Sequence, residues 1–475
     1  MQQIINKIKQ DTNNSPDIII RDLKIENTKI YLIFNETLCS GIYINDFVLY
    51  RLTRLKETSN IYDTIYNNIP SNNVKKLKTY EEILSMLFQG FCIILVEDKF
   101  LAIETRLILD RGVTSSENEI SLIGPNDAFT ETFNKNLGLI RKRIRSHNLI
   151  IKNQTIGKQT ITKVGICYMK NIADENLVNS IEKKIEKIDI DGIIDTGYIR
   201  EILLDKESIF PTVNITERPD TVSQALLEGK VAIIVDNTPY VMIIPTFFID
   251  FFHTPDDYYQ KPFNITFIRF IRLVAFIISI FLPAYYISVT THNPESIPIT
   301  LLTSFASQRL NVPFPGFIEA FLMITCFEIL RESDTRTPSK AGASISILGG
   351  LVLGEAAVSA GLVSPIMIIV IAISVISGLL FSSNSLIFSI RYFRIILLIL
   401  SAFFGLFGMF IGLLFLIIKL CSINTFGFPY TSPFSPLIKS ELRDSFIKTK
   451  NKSLRLRNPL LAKKNIIRGQ NYEKN

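Results

Sequence analysis

The run IILLILSAFFGLFGMFIGLLFLII, residues 395–418, decides the fold class. It holds no charged side chain and lies between Arg394 and Lys419. The hydrocarbon core of a bilayer takes roughly 20 mostly apolar residues in a helix. Toward the N-terminus the pattern recurs. Ala341–Ile390 carries one charge, Glu355, and its length suits two spans that turn at GLVSP, 361–365. Leu273–Thr291 carries none and follows Arg269 and Arg272. These runs predict four crossings and exclude an ordinary soluble protein. Phe314–Leu330 starts after Pro313 and contains Pro315, Glu319 and Glu328. It reads either as a fifth span or as a re-entrant or interfacial helix.

Basic residues set the orientation. Lys261, Arg269 and Arg272 precede the first run, so the segment before it is expected on the cytoplasmic side. Residues 433–475 hold eleven Lys and Arg against three acids, which accounts for the net charge of +7. This basic tail reads as a cytoplasmic segment facing anionic membrane lipid. No recognition motif accompanies the charge, so nucleic acid is not an expected partner. Both ends on one side demand an even number of crossings. That is four, or six if Phe314–Leu330 crosses together with the weaker stretch Ile297–Phe305.

Acids at membrane depth are costly, and they face protein, water or a partner. Glu319, Glu328 and Glu355 are therefore candidates for an ion pathway or for assembly. Small residues permit close helix packing. Gly350, Gly354 and Gly361 lie around Glu355, and Gly405, Gly408 and Gly412 lie in the last run. These six are candidate packing positions, within the chain or between subunits.

The first half is charged and contains a repeat. EILSMLFQGFCIILVEDKFLAI (82–103) matches TVSQALLEGKVAIIVDNTPYVMI (221–243) when Gly90 is set against Gly229. Leu87 then meets Leu226, Ile94 meets Ile233 and Val96 meets Val235, with Pro239 as one inserted residue. Each copy reads as an amphipathic helix stopped by Gly, a buried strand, a turn and a second strand. Upstream, Thr28-Lys29-Ile30 and Thr162-Lys163-Val164 open corresponding strands. The expected architecture is an α/β cytoplasmic N-terminal region of two related subdomains, followed by an α-helical multi-span membrane domain. The subdomains are expected over 1–110 and 151–262, joined by 111–150, a linking segment that ends in the basic run LGLIRKRIRSHNL. The membrane domain is expected over 263–422 and the tail over 423–475.

The five cysteines are scattered without a Cys-x-x-Cys pair, against a disulfide framework or zinc site and in keeping with a reducing compartment. His147, His253 and His292 lie far apart. The N-terminal MQQIINKIKQDTNN has no apolar core, so no cleavable signal peptide is expected. Phosphate-binding loops, dinucleotide fingerprints, zinc-protease helices and nucleophile elbows are absent from the sequence. Neither an enzyme nor a cofactor or metal is expected. Glu217-Arg218-Pro219-Asp220 reads as a helix start.

Several ordered segments resemble the A subunits of GerA-type spore germinant receptors. The most specific are IPITLLTSFASQRLNVPFPGFIEAFLMITCFEILRESDTRTP (297–338) and SISILGGLVLGEAAVSAGLVSP (344–365). GPNDAFTETFNKNLGLIRKRI (124–144), TERPDTVSQALLEGKVAIIVD (216–236), RFIRLVAFIISIFLPAYYISVTTHNPESIP (269–298) and FGFPYTSPFSP (426–436) add to them. The likeness runs from about residue 20 to 440. It departs at Ile324, Ile123 and Ala128, where the family pattern tends to an acid, a base and Gly. The resemblance implies a nutrient-sensing complex in the inner spore membrane. Its implied partners are a permease-like B subunit and a lipoprotein C subunit, with homo-oligomerisation and a contribution to ion conduction. Two other readings stand beside it: a stand-alone secondary transporter, against which no inverted repeat is visible, and a membrane-anchored cytoplasmic binding or scaffold protein.

Overall fold

Two sheets with one strand order account for the first half of the chain. The computed structural model describes residues 2–25, 28–54, 61–71, 73–107, 123–204, 208–336, 350, 352–381, 383–439, 441–450 and 454–468. The chain forms two units. One comprises Met1–Glu207, Val213–Thr246 and Lys450–Asn475; the other comprises Ser208–Thr212 and Phe247–Thr449.

In the first unit, the first sheet holds β1 (Ile18–Ile25), β2 (Thr28–Asn35), β3 (Val74–Leu77), β4 (Phe91–Val96) and β5 (Lys99–Glu104). The second holds β6 (Leu149–Ile156), β7 (Thr162–Met169), β8 (Asn214–Thr216), β9 (Val231–Val235) and β10 (Val241–Ile244). The orders are β1-β2-β4-β5-β3 and β6-β7-β9-β10-β8, so the two sheets share one topology. Their registers agree as well. Ile30 faces Val96 and Leu32 faces Ile94 in the first; Val164 faces Val235 and Ile166 faces Ile233 in the second. The paired residues of one sheet are equivalent, in the aligned repeat, to the paired residues of the other.

The helices before β4 and β9 are α2 (Tyr80–Leu87) and α5 (Pro219–Leu227), with α1 (Gln2–Asp11) packed beside the first sheet. A capping box between Thr79 and Glu82 starts α2, and Pro219 occupies the first turn of α5. Gly90 and Gly229 follow at φ of +86° and +95°, where a side chain would be strained. In β4 and β9 every residue is buried, so both faces are covered.

Helix α3 (Phe133–Arg143), expected inside a linking segment, belongs to the core of the second sheet. Phe133, Leu137, Ile140 and Ile144 pack there with Leu149 and Ile234. Its Arg141 reaches Asp17, ahead of β1, at 2.9 Å with both side chains buried. The basic tail also differs from the expectation of a lipid-facing segment. Leu461 and Ala462 are buried in the first unit. Lys463 and Lys464 pair with Asp174 and Glu175 at the start of α4 (Glu175–Glu186), each at 2.6 Å, and Arg468 pairs with Glu228 at 2.6 Å. Acids at a helix N-terminus already complement its dipole and attract the lysines.

The second unit is helical: α6 (Pro262–Thr291), α7 (Ile299–Arg309), α8 (Gly316–Arg336), α9 (352–359), α10 (Pro365–Gly378) and α11 (Asn384–Ser422). Among the described residues two helices, α6 and α11, are long and apolar enough to cross a membrane. Residues 341–349 and 351, in the first of the two spans expected within Ala341–Ile390, lie outside the described residues. The span expected at 395–418 does not run straight. At Gly405 the backbone has φ +58° and ψ −142°, which breaks α11 into 384–404 and 406–422. The second leg turns back along the first. Gly408 lies against the Leu400 carbonyl, Gly412 against Leu397, and the Phe393 and Phe415 rings are 6.2 Å apart. Hydropathy could not reveal this, because it scores composition and not chain direction.

Helix α10 runs antiparallel to α6. Ser374 of α10 donates to Ser279 O of α6 at 2.8 Å, and Tyr286 packs in one cluster with Val363 and Met367. The first leg of α11 runs parallel to α6, through Arg394 to Ser279 O at 2.7 Å and His292 Nε2 to Ala402 O at 2.8 Å. Helix α8 meets Ser364 near its start and Arg391 further along.

Candidate functional site

The three candidate acids do not converge. Glu319, in the first turn of α8, is fully buried. Its Oε2 accepts from the Ser364 N–H at 3.0 Å and from Ser364 Oγ at 2.9 Å. Ser364 is the N-cap of α10, so the carboxylate closes the positive end of that helix. Arg309 Nη2 stands 3.4 Å from Oε1. Glu319 thus clamps α7, α8 and α10 together. Glu328, nine residues further on, pairs with Arg391 at 3.0 Å. Glu355 is exposed on α9 and joins neither acid.

The candidate glycines also divide. Gly408 and Gly412 sit in close helix packing, and Gly405 is the break between the legs. Gly361 terminates α9 at φ +66° instead of packing a helix face. Among the described residues, a side chain at Gly350 would meet nothing within 4 Å, and one at the buried Gly354 would touch Ile368 of α10 at 3.9 Å.

A further buried charge, Arg394, stands in the sequence pattern only as a span boundary. Arg394 is 3 % exposed. Its Nε donates to Ser279 O at 2.7 Å, and its Nη2 donates to Ser279 Oγ at 2.9 Å and to Ser374 O at 3.3 Å. Carbonyls and a hydroxyl, not a carboxylate, satisfy this guanidinium, and Gly378 leaves the room beside it. Three helices are joined there by one side chain. The available signal was serine within apolar runs, at 279 and 374.

A second cluster ties the start of α6 to the chain around it. Asp257, fully buried, accepts from Arg269 Nε and Arg272 Nη1, both at 2.9 Å. Asp444 pairs with Arg269 and with Lys448, each at 3.1 Å. Burial pushes the Asp257 carboxyl up, but the bonds and charge of Arg272 and Arg269 outweigh it and hold the group below the usual carboxylate range. His253 Nε2 donates to Ser445 O at 2.8 Å, which fixes its neutral tautomer. Burial, aided by the Arg269 guanidinium and opposed by Asp444 and Asp250, lowers its pKa from 6.5 to about 4.

The unfolded chain takes up a proton on His253 below about pH 6.5, the folded chain only below about pH 4. Stability at this position is therefore lost as pH falls through that window, roughly 2 kcal/mol of it by pH 5 and about 3 kcal/mol by pH 4. The melting temperature of the full chain in detergent is expected to drop from pH 7 to pH 5, and His253→Gln is expected to flatten that slope. A variant whose slope equals that of wild type would refute this assignment.

The family model described as the Bacillus/Clostridium GerA spore germination protein matches residues 6–460. The chain belongs to the GerA family. Spore germination protein KA of Bacillus subtilis is 36% identical over 453 residues, covering 94% of this chain and 83% of that one. The uncharacterised membrane protein YfkQ of Bacillus subtilis is 32% identical over 446 residues, covering 92% and 86%. A crystal structure of the N-terminal domain of the A subunit of the Bacillus megaterium spore germinant receptor GerK3 is 31% identical, with a TM-score of 0.42, covering 51% of this chain and 94% of that one. Two segments that carried the resemblance meet in this GerA chain: Arg218 of ERPD donates to Pro125 O of GPND at 3.1 Å and pairs with Asp220 at 2.7 Å.

Proposed function

We propose that this chain is the membrane-embedded A subunit of a nutrient germinant receptor, and that it couples nutrient sensing in a complex to ion release during spore germination. The observation that carries this reading is the family match, which runs through both units. The complex holds a permease-like B subunit, a lipoprotein C subunit and further copies of this chain, in the inner spore membrane. The first unit and the tail face the cytoplasm. Six passes suit this reading: α6, α8, α10 and the two legs of α11, with α9 as part of the sixth. An even count returns the tail to the side from which α6 starts, as the basic residues require.

The exposed Glu355 supports an assembled state. An acid on an apolar helix is costly against lipid and favourable against a partner subunit or water. Deleting the gene in a strain without paralogues is expected to abolish germination by the cognate nutrients. Glu355→Gln at normal protein level is expected to slow nutrient-triggered cation release about tenfold, with Glu441→Gln as an unaffected control. Unchanged germination after deletion would overturn the assignment. Equal rates for the two Gln variants would remove Glu355 from the mechanism.

A further inference from the structure

The two charge clusters of the helical unit differ in balance. Around α6, Arg269, Arg272 and Lys448 meet two carboxylates, Asp257 and Asp444. Further along, Arg331, Arg391 and Arg394 lie within electrostatic reach of one another and of the Glu328 carboxylate, with Glu332 beside Arg331 in the chain. Glu328 is committed to Arg391 at 3.0 Å, and Arg394 is spent on carbonyls and a hydroxyl. Arg391 Nε is buried and lacks a hydrogen-bond partner. Among these four groups, three cations face one carboxylate where α8 meets the first leg of α11.

Its depth is set by its neighbours. Arg391 stands about 10 Å from the start of α11, just before the charge-free run 395–418. Phe388, under the Arg391 guanidinium at 4.9 Å, is 61 % exposed, and Tyr392 is 51 % exposed. Exposed aromatics beside arginine, at the edge of an apolar run, mark the headgroup layer. The group that matches these cations in that layer is a phosphate with two accessible oxygens, which guanidinium forks bind in paired fashion.

We propose that Arg331 and Arg391 form a binding site for the phosphate of an anionic phospholipid, seated between α8 and the first leg of α11. The site rests on the membrane reading given above. It is separate from the basic-tail residues Lys463, Lys464 and Arg468, which pair with protein acids.

The test uses the full chain in nanodiscs of phosphatidylcholine alone or with 30 mol% phosphatidylglycerol (about a third of the lipid, an anionic fraction chosen to populate the site). Phosphatidylglycerol is expected to raise the melting temperature by several degrees. Arg331→Gln/Arg391→Gln is expected to lose that rise and about tenfold of the lipid selectivity. Arg331→Lys/Arg391→Lys is expected to retain part of it, and Lys463→Gln/Lys464→Gln all of it. Native mass spectrometry of the wild-type chain, which depends on no variant, is expected to show retained phosphatidylglycerol. No rise in wild type, or no retained lipid, overturns the site. A full rise in the Gln double variant does the same. An equal rise from inorganic phosphate in phosphatidylcholine discs overturns the lipid source in favour of a soluble anion. Failure to enter nanodiscs at all overturns the membrane reading as well.

Discussion

Gly408→Val is expected to destroy the hairpin of α11. A Cβ at 408 already overlaps the Leu400 carbonyl, and the backbone it meets cannot rotate away. Overpacking against a mobile side chain costs about 1–3 kcal/mol, and a collision with backbone belongs in the severe tail of about 4 kcal/mol or more. The geometry has a direct readout. Cysteines replacing Phe393 and Phe415, in a background without Cys326 and Cys421, are expected to be joined by a short bifunctional thiol reagent, because those rings are 6.2 Å apart. In one straight helix the two positions are about 33 Å apart. Gly408→Val should abolish the crosslink. Absence of crosslinking in the parent pair would refute the hairpin itself.

That hairpin marks where sequence reading stops. The run 395–418 announces its apolar surroundings, and small residues at 405, 408 and 412 announce close packing, yet one glycine torsion decides whether the chain crosses once or folds back. By contrast the repeat in the first unit was legible to the register, since Gly90 and Gly229 punctuate the same helix-to-strand step and the strands after them are wholly buried. The basic run around Arg141 misled for a physical reason. Its arginines look like a solvated linker until Asp17, more than a hundred residues away, supplies the partner that allows burial. Arg394 escaped for the same reason: its partners are carbonyls, which no residue type encodes. Glu319 was visible as an acid at depth, but its role as the cap of α10 needed the position of Ser364.

Arg141→Met is expected to cost the first unit about 3–5 kcal/mol, the penalty for stripping one partner from a buried ion pair. The side chain is fully buried. Nε meets Asp17 Oδ2 at 2.9 Å, Nη2 meets Ser15 Oγ at 3.3 Å, and Nη1 donates to Ser146 O at 3.2 Å. Asn35 Nδ2 donates to the same Asp17 oxygen at 2.8 Å. The pair joins α3, in the core of the second sheet, to the turn ahead of β1 in the first. Removing the guanidinium leaves Asp17 charged, buried and facing only neutral donors. Replacing both groups with apolar ones leaves no such charge, so Asp17→Leu/Arg141→Met should recover most of the loss. Denaturant titration of the full chain in detergent, followed on the transition of the first unit, measures both. If Arg141→Met costs under 1 kcal/mol, the pair is not what fixes one subdomain on the other. If the double variant is no better than the single, its worth lies in the wider network through Ser15, Asn35 and Ser146 and not in the charge of Asp17.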